Sequence, residues 1–139
     1  MYVIDASVAM KWFLEEPDSV HAAALLEAYR ERRLRLVAPD LLVYEVSNAL
    51  LHNAVFSPRD VTGCIQQLYE LELDLIAPSV ELVLATVRLA SQTRLTFYDA
   101  LYAALAHDLD MPLVSADLRL LNRLPASIPT ATLSQLDVT

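Results

Sequence analysis

The sequence predicts an α/β domain built on a parallel sheet with helices on both faces, and three observations carry that prediction. Short apolar runs such as Tyr2-Val3-Ile4 and Leu113-Val114 alternate with longer stretches of helical periodicity. Alternation of this kind builds βαβ units, and uninterrupted apolar runs suit strands buried on both faces. The stretches between the runs are long enough for right-handed crossovers. Acids and hydroxyl residues stand where the first and fourth runs end, as Asp5, Ser7, Ser115 and Asp117. In an open α/β sheet, the carboxyl ends of strands are where sites form.

Taken in order, Tyr2–Ile4 is strand one, and the segment from Val8 to Leu14 is a short helix carrying Trp12 and Phe13 until Pro17 stops it. Asp18 reads as the cap of a helix running to about Arg33. Leu34 to Ala38 is strand two, followed by Pro39. Asp40 reads as the cap of a third helix, from Leu41 to about Asn53. Ser57-Pro58-Arg59-Asp60 is a helix start with cap, proline and acid in the favoured places. The fourth helix then places Val61, Cys64, Ile65, Leu68 and Tyr69 on one stripe. Leu73 to Ala77 is strand three, where Asp74 points to an edge position. Pro78 and Ser79 start a fifth helix with Leu82, Val83, Val87 and Ala90 inward. Thr96 opens a sixth, reaching about Leu109. A turn at 110–112 leads to strand four (Leu113–Ser115), a short helix from Asp117 to about Arg123, and strand five at Thr130–Leu133.

Composition narrows the function. The 139 residues make one domain, 1–139, and their 55% hydrophobic content supports a core that buries about two-thirds of the unfolded surface. No apolar run reaches the ~18 residues of a membrane span, and Met1 leads into the strand with no signal-peptide pattern. One cysteine, Cys64, excludes an internal disulfide and fits a reducing cytoplasm. A single glycine, Gly63, excludes a P-loop or dinucleotide fingerprint. His21, His52 and His107 lack zinc-ligand spacing. The net charge is −8, with Lys11 the only lysine. Any polyanion partner therefore needs metal ions or local arginines to offset that charge. Arg30, Arg32, Arg33 and Arg35 form a basic cluster, which reads first as a solvated helix end.

Four acids stand out. Glu45 lies in a helix that is apolar nearly all round, so it is expected to be largely buried, with Asn48 and His52 on the same stripe. A buried lone carboxylate needs a partner or a metal. Asp99 sits in the first turn after Thr96, which also fits a plain capping pattern. Asp117 follows strand four and reads equally as an N-cap. Asp5 follows strand one, and if strands one and four are neighbours, Asp5 and the Ser115/Asp117 pair emerge side by side. Together, Asp5, Glu45, Asp99 and Asp117 would crowd negative charge. Two carboxylates ~5 Å apart repel by roughly 3 kcal/mol at an effective dielectric of about 20. Carboxylates without cysteines or paired histidines favour a hard cation, Mg²⁺ or Mn²⁺.

These stretches resemble a known family. Asp5-Ala6-Ser7-Val8 with Lys11-Trp12-Phe13, Glu45 in Tyr44–Leu50, Tyr98–Ala106, and Ser115-Ala116-Asp117 are similar to the motifs of PIN domains. More narrowly, they resemble VapC-type ribonuclease toxins of bacterial toxin–antitoxin pairs. The resemblance covers essentially the whole chain. It implies a three-layer α/β/α fold with sheet order 3-2-1-4-5. It also implies a metal-binding quartet of Asp5, Glu45, Asp99 and Asp117, site-lining hydroxyls at Ser7 and Ser115, and Asn48 as a further polar position. Ser115 stands where the family often has threonine. The implied activity is hydrolysis of RNA phosphodiester bonds (in tRNA, rRNA or mRNA) with Mg²⁺ or Mn²⁺. The implied partners are a small antitoxin and a second copy of the chain in a homodimer, in the cytoplasm. Tyr98, Tyr102, Trp12 and the arginines are candidates for RNA contact. A phospho-accepting receiver domain also gathers acids at strand ends, but it needs a lysine late in the chain. A non-catalytic PIN-like binding or scaffolding module is the remaining alternative.

Overall fold

The computed structural model describes residues 1–138. Five parallel strands form one sheet in the order β3-β2-β1-β4-β5: β1 Tyr2–Ile4, β2 Leu36–Pro39, β3 Asp74–Ile76, β4 Leu113–Val114 and β5 Thr130–Ala131. The predicted order and parallel pairing are both present. Val3 and Ile4 pair with Leu113 and Val114, and Val3 also pairs with Val37. The order runs one way from β1 through β2 to β3, then resumes at β4 on the other side of β1. With right-handed crossovers, such a reversal puts helices on both faces and opens a crevice at the β1/β4 boundary.

Among the described residues, seven helices cover the sheet: α1 Ala6–Met10, α2 Ser19–Arg30, α3 Leu41–Leu51, α4 Pro58–Glu70, α5 Val80–Thr93, α6 Phe97–Asp108 and α7 Leu118–Arg123. A 3₁₀ turn, Leu133–Gln135, takes the end of the predicted fifth strand. Helix α6 lies against β1, β2 and β4 on one side and α5 on the other. Every residue from Ala100 to Ala106 is therefore buried. Its alanines permit that close approach, since bulkier side chains would hold the helix off the sheet. Helix α3 packs on α1, α4 and β2.

Several local expectations are corrected. Helix α1 starts at Ala6 because Asp5, at the end of β1, accepts from the Val8 N–H at 3.3 Å. Trp12 and Phe13 follow it in a turn. The backbone of Asp18 is left-handed (φ 68), and its side chain faces His21 at 3.3 Å rather than capping α2. Asp40 already has helical dihedrals and makes no side-chain cap. Strand β2 begins at Leu36, leaving Leu34 and Arg35 outside; Arg35 pairs with Asp74 at 2.5 Å. Helix α3 is buried along Leu42, Val46 and Leu50 only, while Tyr44 and Leu51 are exposed. On α5, Leu82 and Thr86 turn inward and Val87 is exposed; the Thr86 hydroxyl donates to the Leu82 carbonyl at 2.7 Å, which lets it be buried without a partner outside the helix. Tyr69, placed on the α4 stripe, is exposed. The Ser57 start of α4 is borne out as a full capping box.

Candidate active site

The β1/β4 boundary carries the candidate site. Asp5 leaves the end of β1 and Ser115 the end of β4, and the Asp5 N–H donates to the Val114 carbonyl at 3.4 Å. Asp5 is buried, with 5% of the residue exposed. The Ser7 hydroxyl donates to its Oδ1 at 2.6 Å and the Ser115 hydroxyl to its Oδ2 at 2.5 Å. Each hydroxyl also accepts a backbone N–H: Ser7 from Ala116 and Ser115 from Asp117, both at 2.9 Å. The hydroxyl oxygens lie 3.3 Å apart. Both serines thus act as clamps on one carboxylate rather than as helix caps.

Burial pushes the Asp5 carboxyl up from 3.8 to about 6; the hydrogen bonds from Ser115, Ser7 and Val8 oppose the rise, and the nearby Glu45 charge adds to it. Glu45, on α3, is raised in the same way, first by burial and then by the Asp99 charge, while the Tyr102 hydroxyl works against the rise. Its Oε1 and the Tyr102 hydroxyl are both buried, and neither meets hydrogen-bond geometry with a described residue, although the two groups lie close enough for the hydroxyl to act on the carboxylate. Burial, with Glu45, Asp5 and Asp99 all nearby, raises the Tyr102 phenol well above its ordinary value. Asp5, Glu45 and Asp99 are therefore close enough for their charges to act on one another and on Tyr102. Asp99 stands in the first turn of α6, where Thr96 caps its N–H at 3.1 Å. Asp117 caps α7, accepting from the N–H groups of Arg119 and Leu120 at 3.0 and 3.2 Å. The Arg119 guanidinium reaches Asp99 at 3.7 Å and Asp117 at 3.5 Å, tying the last two acids together.

Asn48 is exposed on α3, and its side chain makes no hydrogen bond to this group; its carbonyl lies 2.8 Å from His52 Nδ1. Tyr102 is a correction: only 2% exposed, it cannot stack on a base, whereas Tyr98 is exposed. Trp12 donates to the Ala22 carbonyl at 3.1 Å and packs against the core. Two residues of the site were not read in their observed roles. Tyr102 lies one helical turn beyond Asp99, and Arg119 two residues beyond Asp117. Tyr102→Phe removes a buried hydroxyl. Because that hydroxyl opposes the rise of the Glu45 carboxyl, its loss is expected to push Glu45 further up and to cost about 1 kcal/mol near neutral pH, read from urea unfolding.

The donors are all carboxylate oxygens, the type a hard cation prefers. The unpartnered, buried Glu45 Oε1 is an atom that a cation would satisfy. Among the described residues, no three acids cluster tightly enough to enclose an ion unaided.

An all-parallel β3-β2-β1-β4-β5 sheet with carboxylates at its β1/β4 switch point defines an open α/β domain with an acidic crevice at the carboxyl ends of its strands. The family comparison says which kind: the PIN-domain model matches residues 2–126, and the chain belongs to the PIN-domain family, a nuclease family. No curated protein sequence matches it. Solved structures share the fold. PAE2754 from Pyrobaculum aerophilum is 23% identical with TM-score 0.69, covering 96% of this chain and 89% of that one. VapC20 from Mycobacterium tuberculosis, described as a sarcin-ricin loop cleaving toxin, is 8% identical with TM-score 0.71, covering 92% and 98%. VapBC-5 from the same organism, a member of the VapBC family of toxin-antitoxin systems, is 16% identical with TM-score 0.62, covering 94% and 96%.

Proposed function

We propose that residues 1–139 form a single-domain, Mg²⁺- or Mn²⁺-dependent endoribonuclease that acts as the toxin of a toxin–antitoxin pair. The observation that carries this reading is the buried Asp5 carboxylate, clamped by Ser7 and Ser115, facing Glu45 with its unpartnered Oε1. A fold that holds acids together against burial and mutual repulsion gains when a cation arrives. Asp5 and Asp99 are the principal ligands, with Glu45 and Asp117 completing the shell directly or through water. Bound Mg²⁺ or Mn²⁺ supplies positive charge against the phosphate and lowers the pKa of a water in its shell. Ser7 and Ser115 hold Asp5 in one rotamer. Glu45 accepts a proton from the attacking water, a role suited to a carboxylate raised by burial. Asn48 positions substrate at the rim of the site.

The fold neighbours named as VapC toxins and VapBC systems support an RNA substrate and a small protein antitoxin as partners. A homodimer in the cytoplasm completes the reading; no helix among the described residues is long and apolar enough to cross a membrane. Purified protein incubated with single-stranded RNA is expected to cut it in Mn²⁺ and not in EDTA. Intact RNA under both conditions would leave the non-catalytic binding module in its place. Mn²⁺ is also expected to raise the melting temperature of the metal-free protein by several degrees. An ion at about 100 times its dissociation constant adds about 2.7 kcal/mol to the native state. An unchanged melting curve at millimolar Mn²⁺ speaks against the metal site.

A further inference from the structure

Arg119 is the one cation, among the described residues, within ion-pair distance of any of the four acids, and it reaches two of them, Asp99 and Asp117. Its contacts have an unusual form. A single nitrogen, Nη2, serves both Asp99 (3.7 Å) and Asp117 (3.5 Å), and both contacts are too long for charge-assisted hydrogen bonds. Neither Nε nor Nη1 forms a hydrogen bond among the described residues. The side chain is 66% exposed, while the carboxylates beneath it are 26% and 35% exposed. The backbone, by contrast, is pinned: the Arg119 N–H donates to Asp117 Oδ1 at 3.0 Å. A fixed base thus carries a loosely held head, and exposed pairs of this kind add little to stability.

A chain of net charge −8 needs a local cation to hold a phosphate, and the planar guanidinium fork matches phosphate oxygens two at a time. A divalent ion at Asp99 and Asp117 would displace this head, since both claim the same carboxylate charge. We propose that Arg119 is a substrate-positioning residue: it covers Asp99 and Asp117 in the metal-free protein and turns to an RNA phosphate once a divalent cation takes those carboxylates. The proposal rests on the ribonuclease reading above and adds to it an arginine that competes with the metal but cooperates with the substrate.

Opposite signs test it. Arg119→Gln removes the charge and Arg119→Lys keeps it. Binding of a fluorescein-labelled oligouridylate is followed by anisotropy in Ca²⁺ and in EDTA across a salt series, with a gel to show that the probe stays intact. Mn²⁺ binding is followed separately by electron paramagnetic resonance. In Ca²⁺, Arg119→Gln is expected to weaken RNA binding about tenfold and to shrink the salt slope by roughly 0.7, the share of one single-strand phosphate. In EDTA it matches the wild type, because the wild-type arginine is then engaged by the acids. Its Mn²⁺ affinity rises roughly threefold, as one repelling positive charge is gone. Arg119→Lys retains the wild-type salt slope. RNA affinity in Ca²⁺ unchanged by Arg119→Gln, or Mn²⁺ affinity that falls with it, overturns the proposal. A wild type that cuts RNA alongside such a variant leaves the ribonuclease reading standing; a wild type that neither binds nor cuts RNA in any cation overturns both.

Discussion

Asp5→Asn is expected to abolish RNA cleavage and, in the metal-free protein near neutral pH, to raise the melting temperature. The two effects have one cause. The carboxylate that the site needs is one the fold would rather not ionise. Burial holds the Asp5 carboxyl at about 6, against 3.8 in the open chain. Its folded value is raised, so its contribution to stability is fully present below about pH 4 and is lost as pH climbs through 6. Above that, the ionised group costs the metal-free fold roughly 3 kcal/mol relative to its neutral form. Asparagine is neutral at every pH and nearly the same size. Its amide can still accept from the Ser7 hydroxyl and donate to the Ser115 oxygen. The expected gain is therefore about 2 kcal/mol near neutrality, shrinking to nothing toward pH 4. Thermal melts of both proteins across that range, in EDTA, measure it. With saturating Mn²⁺ the order reverses, because only the carboxylate gains from the ion. Full cleavage by folded Asp5→Asn protein removes Asp5 from the chemistry. A variant that is less stable at every pH shows that the hydroxyl clamps, not burial, dominate the energetics.

The same residue shows what a sequence can disclose. Asp5 and Ser115 were legible as a pair because each follows a short apolar strand, and parallel strands deliver the residues after them to one edge. That inference needs only strand adjacency, which the Val3–Leu113 register supplies. Caps were less legible. Asp18 and Asp40 have the residue type of an N-cap, but a cap depends on backbone dihedrals as well. Near Asp18, the Ser19 hydroxyl instead accepts the Glu16 N–H and donates to the Leu14 carbonyl, so the chain turns before the helix can use the acid. Burial of α3 was overestimated because its apolar content does not reveal how much of its surface neighbouring elements cover. The burial of Tyr102 and the acid contacts of Arg119 were not legible for a related reason. A tyrosine fits a wet face or a dry one. A long arginine reveals its partners only when α6 and α7 are placed together.

Ala103→Leu is expected to be the most damaging substitution outside the acids, and it tests the claim that α6 sets the site. Ala103 is fully buried in the middle of a helix buried on all sides, between α5 and strands β1, β2 and β4. Extra methylenes in a packed core ordinarily cost 1–3 kcal/mol through displaced backbone and strained rotamers. With no exposed side for the leucine to turn to, a loss of about 3 kcal/mol is expected in urea unfolding. The helix must move to admit it, and it carries both Asp99 and Tyr102. A misplacement of about 1 Å at a reacting centre can cost about a hundredfold in rate. The cleavage rate of fully folded variant, measured well below its melting temperature, should therefore fall far more than its stability requires. Val87→Leu, on the exposed face of the neighbouring α5, should change neither. If Ala103→Leu loses stability but cuts RNA at the wild-type rate once folded, the position of α6 on the sheet matters for the core alone. The acids would then be placed by their own loops and caps.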